Sequence, residues 1–71
     1  MKRSFKLKNL DCANCAAKME NAAGKIDGVS VNISFMGERI TVEADEALFE
    51  EKLSEIQRVI SGIEPDCEIV R

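Results

Sequence analysis

Two cysteines stand three positions apart in Asn9-Leu10-Asp11-Cys12-Ala13-Asn14-Cys15-Ala16, between a strand-like and a helix-like segment. Thiolates at that spacing can share one metal ion. The pair falls where a helix begins, so unpaired backbone N–H groups and the positive end of the helix dipole favour thiolate over thiol. Asp11, directly before the first cysteine, adds a carboxylate oxygen to the same turn, a donor that neither a disulfide reagent nor a purely soft metal site requires. Copper(I) is satisfied by two soft thiolates, whereas zinc and cadmium take about four ligands and accept carboxylate oxygen beside sulfur. Two thiolates and a carboxylate over-neutralise a divalent ion by one charge and leave a position open. Such an incomplete shell suits transfer better than storage. Asp11 also has the chemistry of a helix-capping carboxylate, and the two roles can alternate.

These residues need elements to hold them. From Ser4 to Leu10, Phe5 and Leu7 alternate with Lys6 and Lys8, the period of a strand covered on one face. From Cys15 the period lengthens: Ala16, Met19, Ala23 and Ile26 fall on one helical stripe, while Lys18, Glu20, Asn21 and Lys25 point away. Asp27-Gly28 is the expected stop of that helix. Val29, Val31, Ile33 and Phe35 then alternate with Ser30, Asn32 and Ser34, and the pattern resumes at Ile40, Val42 and Ala44, a hairpin turning at Gly37. Asp45 is the expected N-cap of a second helix with Phe49, Leu53, Ile56 and Ile60 on one face and Gly62 at its end. Glu64-Pro65-Asp66 leads into a short last strand, Cys67-Glu68-Ile69-Val70. The order strand, helix, strand, strand, helix, strand, with both helices apolar on one side, predicts an α+β ferredoxin-like βαββαβ sandwich. Two helices cover one face of a four-stranded antiparallel sheet.

With 71 residues, 45% of them hydrophobic, the chain is expected to form one domain over 1–71 around one small core. Ten basic against thirteen acidic residues give a net charge of -3 and no basic stripe for phosphates, so nucleic acid is not an expected partner. The apolar runs fall far short of the roughly 20 residues that cross a bilayer, and Met1-Lys2-Arg3 opens no signal-peptide core. No membrane insertion of this segment is expected. Three cysteines, two of them in C-x-x-C, fit a reducing compartment better than a secreted disulfide framework. The expectation is a cytoplasmic protein.

Cys67 alternates with Ile69 on what should be the inner face of the last strand, and free cysteine is among the most buried residue types, so it reads as core. Met19 belongs to the helical stripe and Met36 to the hairpin turn, which does not make a thioether copper site. Asp45, Glu46, Glu50 and Glu51 read first as a solvated acidic helix start. A dithiol oxidoreductase is the enzyme alternative for C-x-x-C. Against it, no tryptophan precedes the pair, Ala13 and Asn14 separate it without proline, and Pro65 has no evident place facing it.

The run Leu10-Asp11-Cys12-Ala13-Asn14-Cys15-Ala16, followed by Gly28-Val29 and the alternating strand, resembles the heavy-metal-associated domain. That family includes small copper chaperones, the periplasmic mercury-binding protein and amino-terminal domains of heavy-metal P-type ATPases. The resemblance implies one ion held by Cys12 and Cys15 and passed to a partner by ligand exchange. An aspartate just before the first cysteine resembles the zinc, cadmium and lead pumps, whereas copper members more often carry methionine and threonine where this chain has Leu10 and Asp11. Glu64, in a loop expected beside the metal loop, resembles an acidic residue that serves zinc or cadmium members as a further ligand. The implied partner is the membrane transport domain of a P-type ATPase, in the same chain or separate. The domain itself hydrolyses no ATP and acts as a monomer or as two copies bridged by one ion. A free-standing chaperone for copper(I), or less readily mercury(II), is the alternative.

Overall fold

Alternating side chains build four strands and two apolar stripes build two helices in the computed structural model, which describes residues 1–70. The order is β1 (Lys2–Lys8), α1 (Ala13–Gly24), β2 (Val29–Ser34), β3 (Arg39–Ala44), a 3-10 turn (Glu46–Leu48), α2 (Phe49–Ile63) and β4 (Glu68–Val70). Arg71, the last residue of the expected 1–71 domain, lies outside the described residues. The strands form one antiparallel sheet in the order β2-β3-β1-β4. α1 packs on β2 and on α2, and α2 packs on β3 and β4. This is the ferredoxin-like sandwich that the periodicities predict.

Register follows the apolar pattern, because slipping a strand by one residue would turn its whole apolar set to solvent. Phe5 stands opposite Ile40, Leu7 opposite Ile69 and Val31 opposite Val42. From the helices, Met19, Leu53, Ile56 and Ile60 close on this layer with no more than 1% of their surface exposed. Met19 is therefore core, while Met36 in the hairpin is 93% exposed. Cys67, just before β4, is buried in the same core.

Several boundaries differ from the sequence reading, each for a local reason. β1 stops at Lys8, not Leu10, because Asn9 takes a left-handed φ of 63°. Leu10 is nonetheless buried, folded under the loop. α1 ends at Gly24, where the N–H groups of Lys25 and Ile26 tighten back onto Ala22 and Ala23 carbonyls. Gly28, at φ 81°, instead turns the chain into β2. In the hairpin the left-handed residue is Glu38, at φ 50°, rather than Gly37. Phe35 lies beyond β2 and is exposed. Asp45 does cap, its Oδ1 accepting from the Ala47 N–H at 2.9 Å, but it caps the 3-10 turn that precedes α2. α2 runs through Gly62 to Ile63.

A helix side chain bonds to each sheet edge. The Glu20 carboxylate accepts from the Ile33 N–H of β2 at 2.6 Å. The Gln57 amide accepts from the Ile69 N–H of β4 at 2.8 Å and donates to the Cys67 carbonyl at 3.3 Å. Edge groups left bare invite pairing with another chain, and these two side chains occupy part of each edge.

Candidate metal centre

β1 is the strand between β3 and β4, and it delivers the cysteine loop from the middle of the sheet to the start of α1. Cys12 occupies the N-cap with extended backbone, φ -130° and ψ 118°. Its Sγ accepts a hydrogen bond from the Cys15 N–H at 3.2 Å, and its carbonyl accepts the Ala16 N–H at 3.0 Å. Sulfur thus does what a serine or aspartate oxygen does at most helix starts. The cap that the sequence offered to Asp11 is made by Cys12. Asp11 lies one residue outside the helix, exposed, with its carboxylate free of that task.

Cys15 follows one turn later and is half-buried against the core. The loop between α2 and β4 comes up beside it. Glu64 ends α2, its N–H bonded to the Ile60 carbonyl at 2.8 Å, and its half-buried carboxylate is near enough to help raise the Cys15 thiol. Asn9 donates to the Asp66 carbonyl at 2.9 Å, tying the two loops together. The structure therefore brings Cys12, Cys15 and Glu64 to one end of the sheet, with Asp11 at its rim.

The environment separates the two thiols. Cys12 is lowered from the ordinary thiol range, first by the hydrogen bond from the Cys15 side chain and then by the Cys15 and Asn14 N–H groups, against partial desolvation and the charge of Glu64. Cys15 is pushed up to about 11, first because it gives its proton to the bond with Cys12, then by desolvation and by Glu64. Of the two, Cys12 is the more readily ionised and Cys15 the one that holds its proton. Cys67 is raised by burial first and by the charges of Glu64 and Asp11 after it. All three are free thiols. Among the described residues, no three Cys, Asp or Glu side chains stand close enough together to hold an ion without moving.

This asymmetry sets an order of modification. Iodoacetamide near pH 8 is expected to label Cys12 first and Cys15 more slowly, with Cys67 protected until the protein unfolds, as peptide mapping by mass spectrometry would show. Thiolate is the reacting form, and only Cys12 is stabilised as one. Equal rates at Cys12 and Cys15 would contradict the assignment.

Sequence comparison agrees with the geometry, since residues 4–66 match the heavy-metal-associated domain. The chain belongs to that family. The heavy-metal-associated domain is a metal-binding domain with a neighbouring cysteine pair, and is not itself an enzyme. Two kinds of relative emerge. The zinc/cadmium/lead-transporting P-type ATPase of Escherichia coli is 38% identical over 56 residues, which are 78% of this chain and 8% of that protein. The copper chaperone CopZ of Enterococcus hirae is 32% identical over 71 residues, 99% of this chain and 100% of that protein. The chain thus matches a small part of the ATPase and the whole of the chaperone. Among solved structures, the CsoZ metallochaperone superposes with a TM-score of 0.76 at 17% identity, over 100% of this chain and 97% of that one, a likeness of fold. No helix among the described residues is long and apolar enough to cross a membrane.

Two features of the site escaped the sequence reading. That Cys12 is its own helix cap was signalled by the cysteine at the helix start, but Asp11 is the commoner capping type. The Asn9 clamp was signalled only by asparagine's tolerance of left-handed backbone.

Proposed function

We propose that Cys12 and Cys15 bind one zinc, cadmium or lead ion, with Asp11 and Glu64 supplying carboxylate oxygen. We propose further that the domain is the cytosolic metal-binding module that hands this ion to the membrane transport domain of a heavy-metal-exporting P-type ATPase. That transport domain is in the same chain or is a separate partner, and the module works as a monomer. The observation that carries the reading is Glu64: a carboxylate in a loop tied to the cysteine loop by the Asn9–Asp66 bond, and near enough to help raise Cys15, is where an oxygen-accepting divalent ion finds its third donor. The ion takes the place of the proton that Cys15 holds, and its positive charge is met by groups that repel one another in its absence. With solvent in the remaining position, an acceptor's thiolate or carboxylate enters there, and the domain's ligands leave one at a time. The intermediates never expose a bare ion, which keeps the barrier to transfer low.

The second reading is a copper(I) chaperone, favoured by the match along the whole of CopZ. It needs the two sulfurs and gives Asp11 and Glu64 no part.

Cobalt(II) in place of zinc distinguishes the ligand sets. The expected spectrum of the cobalt-loaded domain has the visible bands of a tetrahedral ion and a thiolate charge-transfer intensity of two sulfurs per cobalt, which Cys67→Ala leaves unchanged. An intensity of three sulfurs, reduced by Cys67→Ala, would overturn the proposed set.

A further inference from the structure

Asn9 is exposed and has no ligand chemistry suited to a metal cation beside thiolates, yet it sits in strained backbone at the entrance to the metal loop. Its φ of 63° is a conformation that asparagine tolerates better than most residues other than glycine. From there its Nδ2 reaches across the end of the sheet to the Asp66 carbonyl at 2.9 Å. The segment it grips is short and already fixed at both ends. Glu64 N–H is bonded to Ile60 at the end of α2, Cys67 N–H closes back on the Glu64 carbonyl at 3.0 Å, and Cys67 is buried beneath. Pro65 stiffens the chain between them by fixing its own φ. Holding Asp66 therefore holds the backbone of Glu64.

We infer that Asn9 is a positioning residue for the metal centre: its amide clamps the 64–67 loop to the cysteine loop and so keeps the Glu64 carboxylate within reach of Cys15. Without the clamp the loop is still tethered by α2 and β4, but Glu64 spends less of its time facing the pair, and an ion that needs its oxygen binds less well. An ion that needs only sulfur does not register the change. The inference rests on the reading of Glu64 as an oxygen donor to the ion.

Asn9→Gly is the informative substitution, because glycine keeps the left-handed backbone and removes only the amide. Zinc affinity is expected to fall about threefold to tenfold, the range that one net hydrogen bond spans, with copper(I) affinity unchanged. Amide exchange at Cys67, whose N–H closes the clamped loop, is expected to speed up in the metal-free protein. In a Glu64→Gln background the same substitution should leave zinc affinity where it was, since Asn9 acts through Glu64. Equal losses in both backgrounds, or no loss and no change in exchange in Asn9→Gly, would overturn the inference while leaving Glu64 as a ligand if Glu64→Gln alone weakens zinc. Unchanged zinc affinity in Glu64→Gln would overturn the ligand reading and the clamp's purpose together.

Discussion

Cys12→Ser and Cys15→Ser are each expected to lower zinc affinity by about three decades, near 4 kcal/mol, while the metal-free fold survives. Each substitution replaces a thiolate by a hydroxyl that stays protonated at neutral pH and is a far poorer donor, so the remaining sulfur and the carboxylates hold the ion alone. The fold survives because the apolar stripes of both helices meet the sheet without help from the pair. Cys12→Ser also keeps the cap, since serine is a strong N-cap and its oxygen can take the Cys15 N–H that sulfur now accepts. Competition with a chromophoric chelator measures the affinity, and circular dichroism checks the fold. Cys67→Ala is the contrasting case. Its loss is in packing, because the thiol is buried in the core rather than turned to the site, so its metal affinity stays that of the parent. Unchanged zinc affinity in Cys12→Ser would contradict the assignment of the pair.

How far the sequence foretold this arrangement varies with how each feature is encoded. Val29, Val31 and Ile33, and Ile40, Val42 and Ala44, announce their strands because a one-sided sheet forces a period of two, and the observed register pairs them. Met19, Leu53, Ile56 and Ile60 likewise announce the helix faces. Ends were less legible. Gly28 and Gly62 both carry the sign of a helix stop, but α1 closes earlier and α2 runs through Gly62, because tertiary packing and local 3-10 bonding decide the last turn. Phe35 continued the alternation in sequence, but the hairpin takes it out of the strand.

Polar side chains that bridge elements far apart in sequence were the least legible. Gln57 on the β4 edge, Glu20 on the β2 edge and Asn9 on Asp66 leave no periodicity to read, since each depends on which backbone group the fold brings opposite. The site divides the same way. Cys12, Asp11 and Cys15 are visible because their spacing is local. The approach of Glu64 depends on the ferredoxin-like topology, which places the end of α2 beside the start of α1, and it followed only from the resemblance.

The central claim is that carboxylate oxygen makes this a site for divalent ions. Copper(I) binds thiolates wherever it meets them, so its absolute affinity identifies nothing. The informative quantity is the ratio of zinc to copper(I) affinity, measured by chelator competition in the parent chain, in Asp11→Asn and in Glu64→Gln. Both substitutions keep the size of the side chain and remove its charge, and at equal distance and dielectric that charge attracts a divalent ion twice as strongly as a monovalent one. Asp11→Asn leaves the helix cap untouched, because Cys12 supplies it. The ratio is predicted to move against zinc by one to two decades in Asp11→Asn, about 1.4 kcal/mol for each, and in the same direction in Glu64→Gln, with copper(I) affinity nearly constant. A ratio that stays at the parent value in both variants would leave a site of two sulfurs, and the copper(I) chaperone would replace the divalent-metal module as the account of this domain.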